Sequence, residues 1–395
     1  MAMLAASIQE LVSIKIKPRH DGITDQYNRI FMVKICLICA AIIGVNYFSD
    51  KVSCIVANGN GMDGAFVGSA CWIQGFYIFE EMKTRLDQSG YYGIPRNMDY
   101  DGINPLGQLC TTSDRALDPV EQCTPMEKVF YLQYQYMPFF VASLALLFYV
   151  PYLAFTFTNA DLVLLKDYLK AGSVDSDDLL KKFFDQKKNR RKKMRYRVFS
   201  LLLVKLMYLL VNVVALLACH VLLHHKFLTY GRDYLQWTDL DHNLAHEHNL
   251  RERHSPKPGN ALLPPMGLCE IHEASRDVRN THVNQHKFIC EVSPHVLYQY
   301  VLLVLWFGLV IGIVVSVIGV LMNLFGHLLN FACFMSSSDP ARRMYRAITL
   351  REIDYLEYIR RNNMPIYVEL LRKIRDARSI TFKGKEKYGY TGVEL

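Results

Sequence analysis

Four long apolar stretches interrupt a chain that is otherwise rich in charged side chains. Because the chain is 51% hydrophobic yet 21% charged, its apolar residues must be concentrated in blocks. Each block is long enough to cross a hydrocarbon layer of about 30 Å, which takes about 20 helical residues. Polar residues recurring on one face would indicate a soluble helix instead, and residues 301–320 carry no charge. We predict four membrane-spanning helices, at 30–48, 137–157, 198–223 and 296–325.

Lysines lie inside two of these stretches, where a charge at mid-membrane costs about 2.5–3.5 kcal/mol. Lys34 is about one turn from the start of the first span, and Lys205 is about two turns into the third. We expect both side chains to extend along the helix to the lipid headgroups. For Lys205, a position inside the helix bundle or facing a pore is the alternative.

The basic residues indicate which side of the membrane holds the chain ends, because cytoplasmic loops carry an excess of lysine and arginine. Loop 158–197 ends in a basic run directly before the third span: Lys181, Lys182, Lys187, Lys188, Arg190, Arg191, Lys192, Lys193, Arg195 and Arg197. We therefore predict that this loop and the segments 1–29 and 326–395 are cytoplasmic. A solvated or nucleic-acid-binding face is the alternative for such a run, but its position at a membrane entry point favours a topology determinant that could also contact anionic lipid. The net charge of +8 needs no nucleic acid to explain it. We expect no nucleic-acid partner.

The cysteines are distributed in a way that agrees with this orientation. Four lie in the first external loop, 49–136, and two lie in the second, 224–295: Cys54, Cys71, Cys110, Cys123, Cys269 and Cys290. An even number on the oxidising side indicates a disulfide framework, although spacing alone does not choose among the pairings. The others fall in or beside spans and are expected to act as small apolar residues: Cys36, Cys39, Cys219 and Cys333.

The second external loop holds ten of the thirteen histidines. His242 and His246 are four residues apart and His248 follows, so two imidazoles on one helix face could bind zinc. No further ligand of recognisable spacing completes a site, and we expect no metal. A solvated loop is the plain interpretation, and modulation by mildly acidic external pH is the second one, because histidine titrates there.

The segments predicted to be cytoplasmic have helical character. Residues 175–197 indicate a charged helix that leads into the third span, and residues 339–378 show apolar positions at helical spacing, split by Pro365. The latter are expected to pack as a cap under the membrane bundle. Residues 1–16 are amphipathic, which suits a helix on the membrane surface or one that folds into a pore.

Recognisable catalytic motifs are absent from the sequence. It contains no Walker loop, dinucleotide fingerprint, His-Glu-x-x-His motif or nucleophile elbow. The spans also lack the paired acidic residues of a proton-coupled transporter. We therefore expect no enzyme activity and no cofactor, which leaves oligomeric channels and junction or adhesion proteins as the candidate classes.

The start of the second span resembles a known family. Residues 133–138 read Gln-Tyr-Gln-Tyr-Met-Pro, similar to the Tyr-Tyr-Gln-Trp-Val-Pro signature of the innexins, the invertebrate gap-junction proteins related to vertebrate pannexins. Tyr134, Gln135 and Pro138 are retained. Residues 147–151 read Leu-Phe-Tyr-Val-Pro and resemble the family's Leu-Phe-Tyr-x-Pro.

The first loop carries a further part of the resemblance and one departure from it. Cys54 and the pair Cys71 and Trp72 match the family's cysteine pattern. The loop is lengthened between 80 and 128 and has an extra pair, Cys110 and Cys123. With the diverged signature, this is typical of a divergent, early-branching animal member. End-to-end docking stays open, because the docking surface is made of these loops.

The resemblance implies a disulfide pairing in which the first cysteine of one loop joins the second of the other. It gives Cys54–Cys290 and Cys71–Cys269, and leaves Cys110–Cys123 as a local pair.

The prolines and tyrosines of the second span have a physical interpretation of their own. Pro138 and Pro151 are the candidate kink residues of the second span, because proline removes a helical hydrogen bond. We expect Pro151 to bend the span, whereas Pro138 could simply start it. A gating role and a packing role are both open. The aromatic rings nearby fit a belt at the membrane interface: Tyr131, Tyr134 and Tyr136.

The resemblance also implies a pore and its partners. An octamer would surround a wide aqueous channel in the plasma membrane, as a homo-oligomer or together with related subunits, and would dock to the same channel on an adjacent cell at a junction. The N-terminal helix would form the cytoplasmic constriction, with Met1, Met3, Leu4, Ser7 and Ile8 lining it. The start of the first loop would line the outer pore, with Asn46, Asp50 and Lys51.

Two other functions are compatible with four spans. A solitary hemichannel needs no docking, and the absence of any Asn-x-Ser/Thr acceptor means that no bulky sugar is expected to block docking. A non-channel scaffold of the tetraspanin or claudin kind would show Cys-Cys-Gly or Trp-Gly-Leu-Trp-Cys-Cys, and the sequence contains neither.

Overall fold

The fold is described from a computed structural model. It describes nine segments of the chain: 22–49, 52–56, 63–112, 122–170, 175–185, 189–240, 256–276, 281–336 and 348–386. The described helices are α1 (Ile23–Gln26, a π-helical segment Tyr27–Met32, and Val33–Ser49), α2 (Gly64–Gln74), a 3₁₀ turn (Glu81–Lys83), α3 (Gln133–Thr158), α4 (Ala160–Lys170), α5 (Ser176–Phe183), α6 (Arg191–Leu222), α7 (Phe227–Thr238), α8 (Pro258–Leu262), α9 (Ser293–Ser336), α10 (Leu350–Asn362) and α11 (Met364–Glu386).

Four of these helices, α1, α3, α6 and α9, are long and apolar enough to cross a membrane, and one covers each predicted span. They extend beyond the predicted boundaries, except that the third ends at Leu222, one residue before the predicted end at 223. The third starts at Arg191 rather than at 198, and the fourth continues to Ser336 rather than ending at 325. Hydropathy marks only the lipid-embedded part of a helix. The backbone keeps its helical hydrogen bonds as the chain passes into the headgroups.

Contacts divide the described chain into two units. The first, here called the disulfide unit, comprises Met32–Leu146 and Val213–Ile311. The second, here called the helical unit, comprises residues 22–31, 147–212 and 312–386. Each of the four long helices contributes one part to each unit.

The disulfide unit contains a five-stranded antiparallel sheet in the order β1-β10-β9-β2-β8. The strands are β1 (Ser53–Cys54), β2 (Phe76–Phe79), β3 (Ser89–Tyr91), β4 (Ile94–Pro95), β5 (Gly102–Ile103), β6 (Leu109–Cys110), β7 (Thr124–Pro125), β8 (Lys128–Tyr131), β9 (Met266–Arg276) and β10 (Thr281–Glu291). The prediction of an all-α protein was therefore wrong for the loops. The sheet joins short strands of the first loop, with two to four residues each, to two eleven-residue strands of the second. Pairing between segments so distant in the chain is not indicated by any local pattern.

The lengthened part of the first loop is folded as well. It contains the pair β3–β4 and the small sheet β6-β5-β7. The carboxylate of Asp101 accepts hydrogen bonds from the Thr112 backbone N–H (2.7 Å) and hydroxyl (2.9 Å). It also lies 3.6 Å from Lys287 of β10, which ties the insertion to the main sheet.

The helical unit has its own apolar core beside the membrane helices. Side chains of α4, α5, α10 and α11 form it together with the start of α6: Leu165, Leu179, Phe183, Met194, Tyr355, Ile359, Leu370 and Ile374. A capping box between Thr349 and Glu352 starts α10. Pro365 is the second residue of α11, where its missing N–H costs nothing. The predicted single helix over 175–197 was wrong, since α5 ends at Phe183 and α6 begins at Arg191.

Candidate functional site

Most of the predicted pore residues fall outside the described residues: Met1, Met3, Leu4, Ser7, Ile8, Asp50 and Lys51. Asn46 lies on the last turns of α1. Their pore-lining role stays a prediction. The candidate site described below is therefore built from the residues that hold the long helices together.

A buried ion pair joins the start of α1 to α6. The ammonium of Lys205 donates to Oδ2 of Asp25 at 2.5 Å, and both side chains are largely shielded from solvent. The prediction that Lys205 reaches the headgroups was wrong, and the alternative of a position inside the bundle is the observed one. Pairing offsets much of the cost of placing the charge there. The sequence did not indicate this partner, because Asp25 lies before the predicted span and 180 residues away from Lys205.

Three neutral polar side chains meet deeper in the same helices. The amide of Asn28, on the π-helical segment of α1, donates to the Ser316 hydroxyl of α9 at 2.9 Å. The amide of Asn212, on α6, donates to Oδ1 of Asn28 at 2.7 Å and to Ser316 at 3.3 Å. All three are buried. Hydrogen bonds of this kind between membrane helices contribute about 0.6 kcal/mol on average and up to about 1.7 kcal/mol.

Glycines of α9 make this close approach possible. A Cβ atom at Gly312 would lie 2.2 Å from Oδ1 of Asn212, and one at Gly319 would lie 2.7 Å from the Thr24 hydroxyl. Small residues at membrane-helix interfaces let backbones approach. We call Asp25, Asn28, Lys205, Asn212 and Ser316 the polar hub. The small residues at 312, 316 and 319, spaced along one helix face, were the sequence signal that could have located it.

Disulfides connect the two loops of the disulfide unit. Cys54 of β1 is bonded to Cys290 of β10, directly opposite it in the sheet, and Cys71 of α2 is bonded to Cys269 of β9. Cys110 is bonded to Cys123 within the insertion. These are the pairs that the resemblance implies. The sulfurs of Cys54, Cys71 and Cys290 lie within 4.8 Å of one another, but all three are oxidised and therefore offer no thiolate to a metal.

The signature residues at the start of α3 cap the end of α2. The Tyr134 hydroxyl donates to the Trp72 carbonyl at 2.7 Å, and the Gln135 amide donates to the same oxygen at 2.8 Å. The last carbonyls of a helix have no partner inside the helix, so these side chains fix α2 against α3. The prediction of a belt at the membrane interface was wrong for Tyr131 and Tyr134, because both side chains are buried in the protein. Tyr136 is exposed.

The helix α3 starts at Gln133 and continues without interruption through both prolines to Thr158. Pro138 was predicted to start the span, whereas it lies in the second turn of α3. Its missing N–H frees the carbonyl of Tyr134, and the Tyr298 hydroxyl donates to that oxygen at 3.4 Å. A bend at Pro151 stays a prediction.

The three histidines considered for zinc, His242, His246 and His248, lie outside the described residues. His224 is described, and its ring lies 2.9 Å from the Gln133 amide. Burial lowers the pKa of His224, and the charges of Lys83 and Lys226 lower it further. Both effects disfavour the charged imidazolium form of this ring.

A second charged cluster lies in the helical unit, around the fully buried side chain of Arg351. Its Nε and Nη2 atoms each donate to a different oxygen of Asp161 at 3.1 Å, and Nη2 also donates to Asn159 at 2.8 Å. Arg197 lies 3.2 Å from the same carboxylate, and the Tyr355 hydroxyl donates to it. Burial alone would raise the pKa of Asp161, but the bonds and charge of Arg351 hold it below its usual range.

Asp354 lies beside this cluster, but its carboxylate is less well paired than that of Asp161. Its Oδ2 accepts no hydrogen bond from the described residues and lies 4.0 Å from Arg351, although 20% of the side chain is exposed. Burial raises the pKa of Asp354 to about 7 against the opposing charge of Arg351, and the charges of Glu357 and Asp161 add to the rise.

We expect Asp354 to make the helical unit less stable as the pH rises. The folded pKa lies above the unfolded value of about 4, so its contribution is fully present below about pH 4 and is lost as the pH rises through about 7. Asp354→Asn should remove this dependence and stabilise the unit above pH 7. Pulse proteolysis in urea at about pH 6 and about pH 8, read from cleavage inside α10 and α11, checks it. An unchanged difference between the two pH values would contradict it.

Together, these elements define a membrane protein with four candidate spans, whose loops are joined by disulfides into one sheet. The innexin family model matches residues 21–374. The chain therefore belongs to the innexin family, whose members form gap-junction channels, and the resemblance in the sequence is confirmed.

A curated relative agrees with the family match. The chain is similar to Innexin inx3 of Drosophila melanogaster, with 21% identity over 295 residues. The alignment covers 72% of this chain and 64% of the relative, so the chain spans somewhat less than two thirds of that protein's length.

Proposed function

We propose that the chain is a subunit of a large-pore channel that passes ions and small metabolites down their gradients. The observation that carries this proposal is the family match over residues 21–374, which includes the polar hub, all four candidate spans and both disulfide-linked loops. The proposed location is the plasma membrane, at cell junctions. Solitary hemichannels and a scaffold that does not conduct are the alternatives.

The proposed topology places the two disulfide-linked loops outside the cell, and loop 158–197 with both chain ends inside. Two observations support it. The three disulfides lie in the two loops, and disulfides persist in oxidising compartments. Loop 158–197 ends in exposed basic residues at the start of α6, and such residues favour the cytoplasmic side.

The proposed pore lies at the centre of a ring of subunits, an octamer by analogy with the family, formed by this chain alone or with related subunits. Residues 1–8 would form its cytoplasmic constriction, and Asn46, Asp50 and Lys51 would line its outer part. The polar hub supports this arrangement, because it fixes the start of α1 to α6 and α9. The segment that precedes α1 then begins from a fixed point.

Expression in single cells tests conduction. Dye uptake and single-channel current should appear with the full chain, and deletion of residues 2–13 should change the conductance or its selectivity. Deletion of 387–395, at the opposite end, is the matched control and should leave single-channel conductance unchanged. Robust surface expression without any current or dye uptake would favour a scaffold. Images of the purified particle should show rotational symmetry around a central hole.

Docking is tested separately from conduction. Dual whole-cell recording of paired expressing cells should detect current between them if the proposed channels dock end to end. Conduction in single cells together with no coupling between pairs would favour the solitary hemichannel. Replacement of Cys110 and Cys123 by serine tests in the same assay whether the lengthened part of the first loop contributes to docking, because their disulfide lies there.

A further inference from the structure

The first turns of α6 present an exposed basic surface. Arg191, Lys192, Lys193 and Arg195 are all exposed. Within the part of the chain that the structure describes, none of these four side chains forms an ion pair. The rotation of the helix is fixed by its other side, where Met194 packs into the core of the helical unit.

This basic surface continues an apolar one that suits lipid. Tyr196 and Phe199 are 67% and 60% exposed, and each follows a basic residue by four positions, which places it on the same helix face. The exposed apolar face then continues along the helix through Leu203, Leu206 and Leu210.

The length of α6 allows its first turns to extend beyond the hydrocarbon core of a membrane. Its 32 residues extend over about 48 Å, well beyond a hydrocarbon core of about 30 Å. Lys192 and Arg195 lie about 6 Å along the helix from Tyr196 and Phe199, which is about the thickness of a headgroup layer. With the cytoplasmic headgroups at this end of α6, as the proposed topology has it, the aromatic side chains would lie at the interface and the cations among the headgroups.

We propose that this face of α6 is a binding site for an anionic phospholipid with a polyvalent phosphorylated headgroup. The phosphates pair with Lys192 and Arg195, and the acyl chains lie along Phe199 and Leu203. Arginine matches phosphate geometry with two parallel hydrogen bonds, and basic clusters directly beside a membrane helix attract anionic lipid. The continuous apolar face favours a lipid over a free phosphate compound. The site requires that α6 crosses the membrane, but not that the protein conducts.

Binding of a fluorescent phosphatidylinositol bisphosphate to the purified full-length protein in detergent tests the site. The same label on phosphatidylcholine should bind much more weakly, and soluble inositol trisphosphate should compete poorly. The double variant Lys192→Gln and Arg195→Gln should bind the lipid about 30-fold more weakly, which is roughly fivefold for each cation. Binding should also weaken with added salt, because the partners are charged.

Two further variants keep the test decisive. Arg360→Gln with Arg372→Gln removes the same charge from exposed positions on α10 and α11, and it should leave the affinity nearly unchanged. Lys192→Arg with Arg195→Lys keeps both charges and should bind like the unmodified chain. Equal losses in both glutamine variants, or no loss in either, would overturn the site. So would inositol trisphosphate binding as tightly as the lipid. Conductance is not measured, so this result stands apart from the test of channel function.

Discussion

Replacement of Asp161 by asparagine is expected to unfold the helical unit at a much lower urea concentration. Arg351 is fully buried and donates two hydrogen bonds to this carboxylate, and Arg197 lies 3.2 Å from it. Asparagine keeps the shape of the side chain but removes its charge. Two guanidinium groups then lose the counter-charge that they share among the described residues, and breaking a buried ion pair in this way costs about 3–5 kcal/mol.

The measurement must report on the helical unit alone, because a membrane protein does not unfold as one two-state domain. Pulse proteolysis in urea, with cleavage inside α10 and α11 identified by mass spectrometry, meets this need. The matched control is Asp177→Asn. That carboxylate lies 2.6 Å from Lys373 but is 57% exposed, and an exposed pair contributes little because water and salt screen it. A shift no larger for Asp161 than for Asp177 would mean that the buried cluster contributes no special stability.

The contrast between these two carboxylates shows what the sequence could and could not predict. The four spans were predictable because each is a continuous local stretch whose composition alone meets the length that a membrane requires. Nothing near Asp161 in the chain indicates burial, since its partner Arg351 is 190 residues away. Charged residues outside apolar blocks are usually exposed, and only the fold separates the exceptions.

The loops divide in a similar way between predictable and unpredictable features. Their cysteines were visible, and the family pattern implied the pairs that the structure contains. The five-stranded sheet was not visible, because strands as short as Ser53–Cys54 carry no pattern of their own. Tyr134 was recognised as part of a signature but was placed at the membrane interface. Its role is to cap α2, and that depends on where α2 ends in space.

Within the membrane helices, the largest loss of stability is expected from a substitution at Gly312, which packs against Asn212 of the polar hub. Alanine normally stabilises a helix relative to glycine by up to about 1 kcal/mol. At Gly312, however, the new Cβ would lie 2.2 Å from Oδ1 of Asn212. That side chain is held by hydrogen bonds from its amide to Asn28 and Ser316, so it cannot move without breaking them. We expect Gly312→Ala to destabilise the protein by about 1–3 kcal/mol.

Gly326 provides the control on the same helix, because nothing lies within 4 Å of a Cβ atom built there. Gly326→Ala should therefore be neutral or stabilising, so the same substitution is expected to have opposite signs at two positions of α9. Thermal stability of the purified protein, followed by size-exclusion chromatography after heating, measures both. Asn212→Ala removes the obstructing oxygen. If the clash is the cause, Gly312→Ala should cost much less in that background than in the unmodified chain, whereas an equal cost in both would assign the loss to something other than the hub.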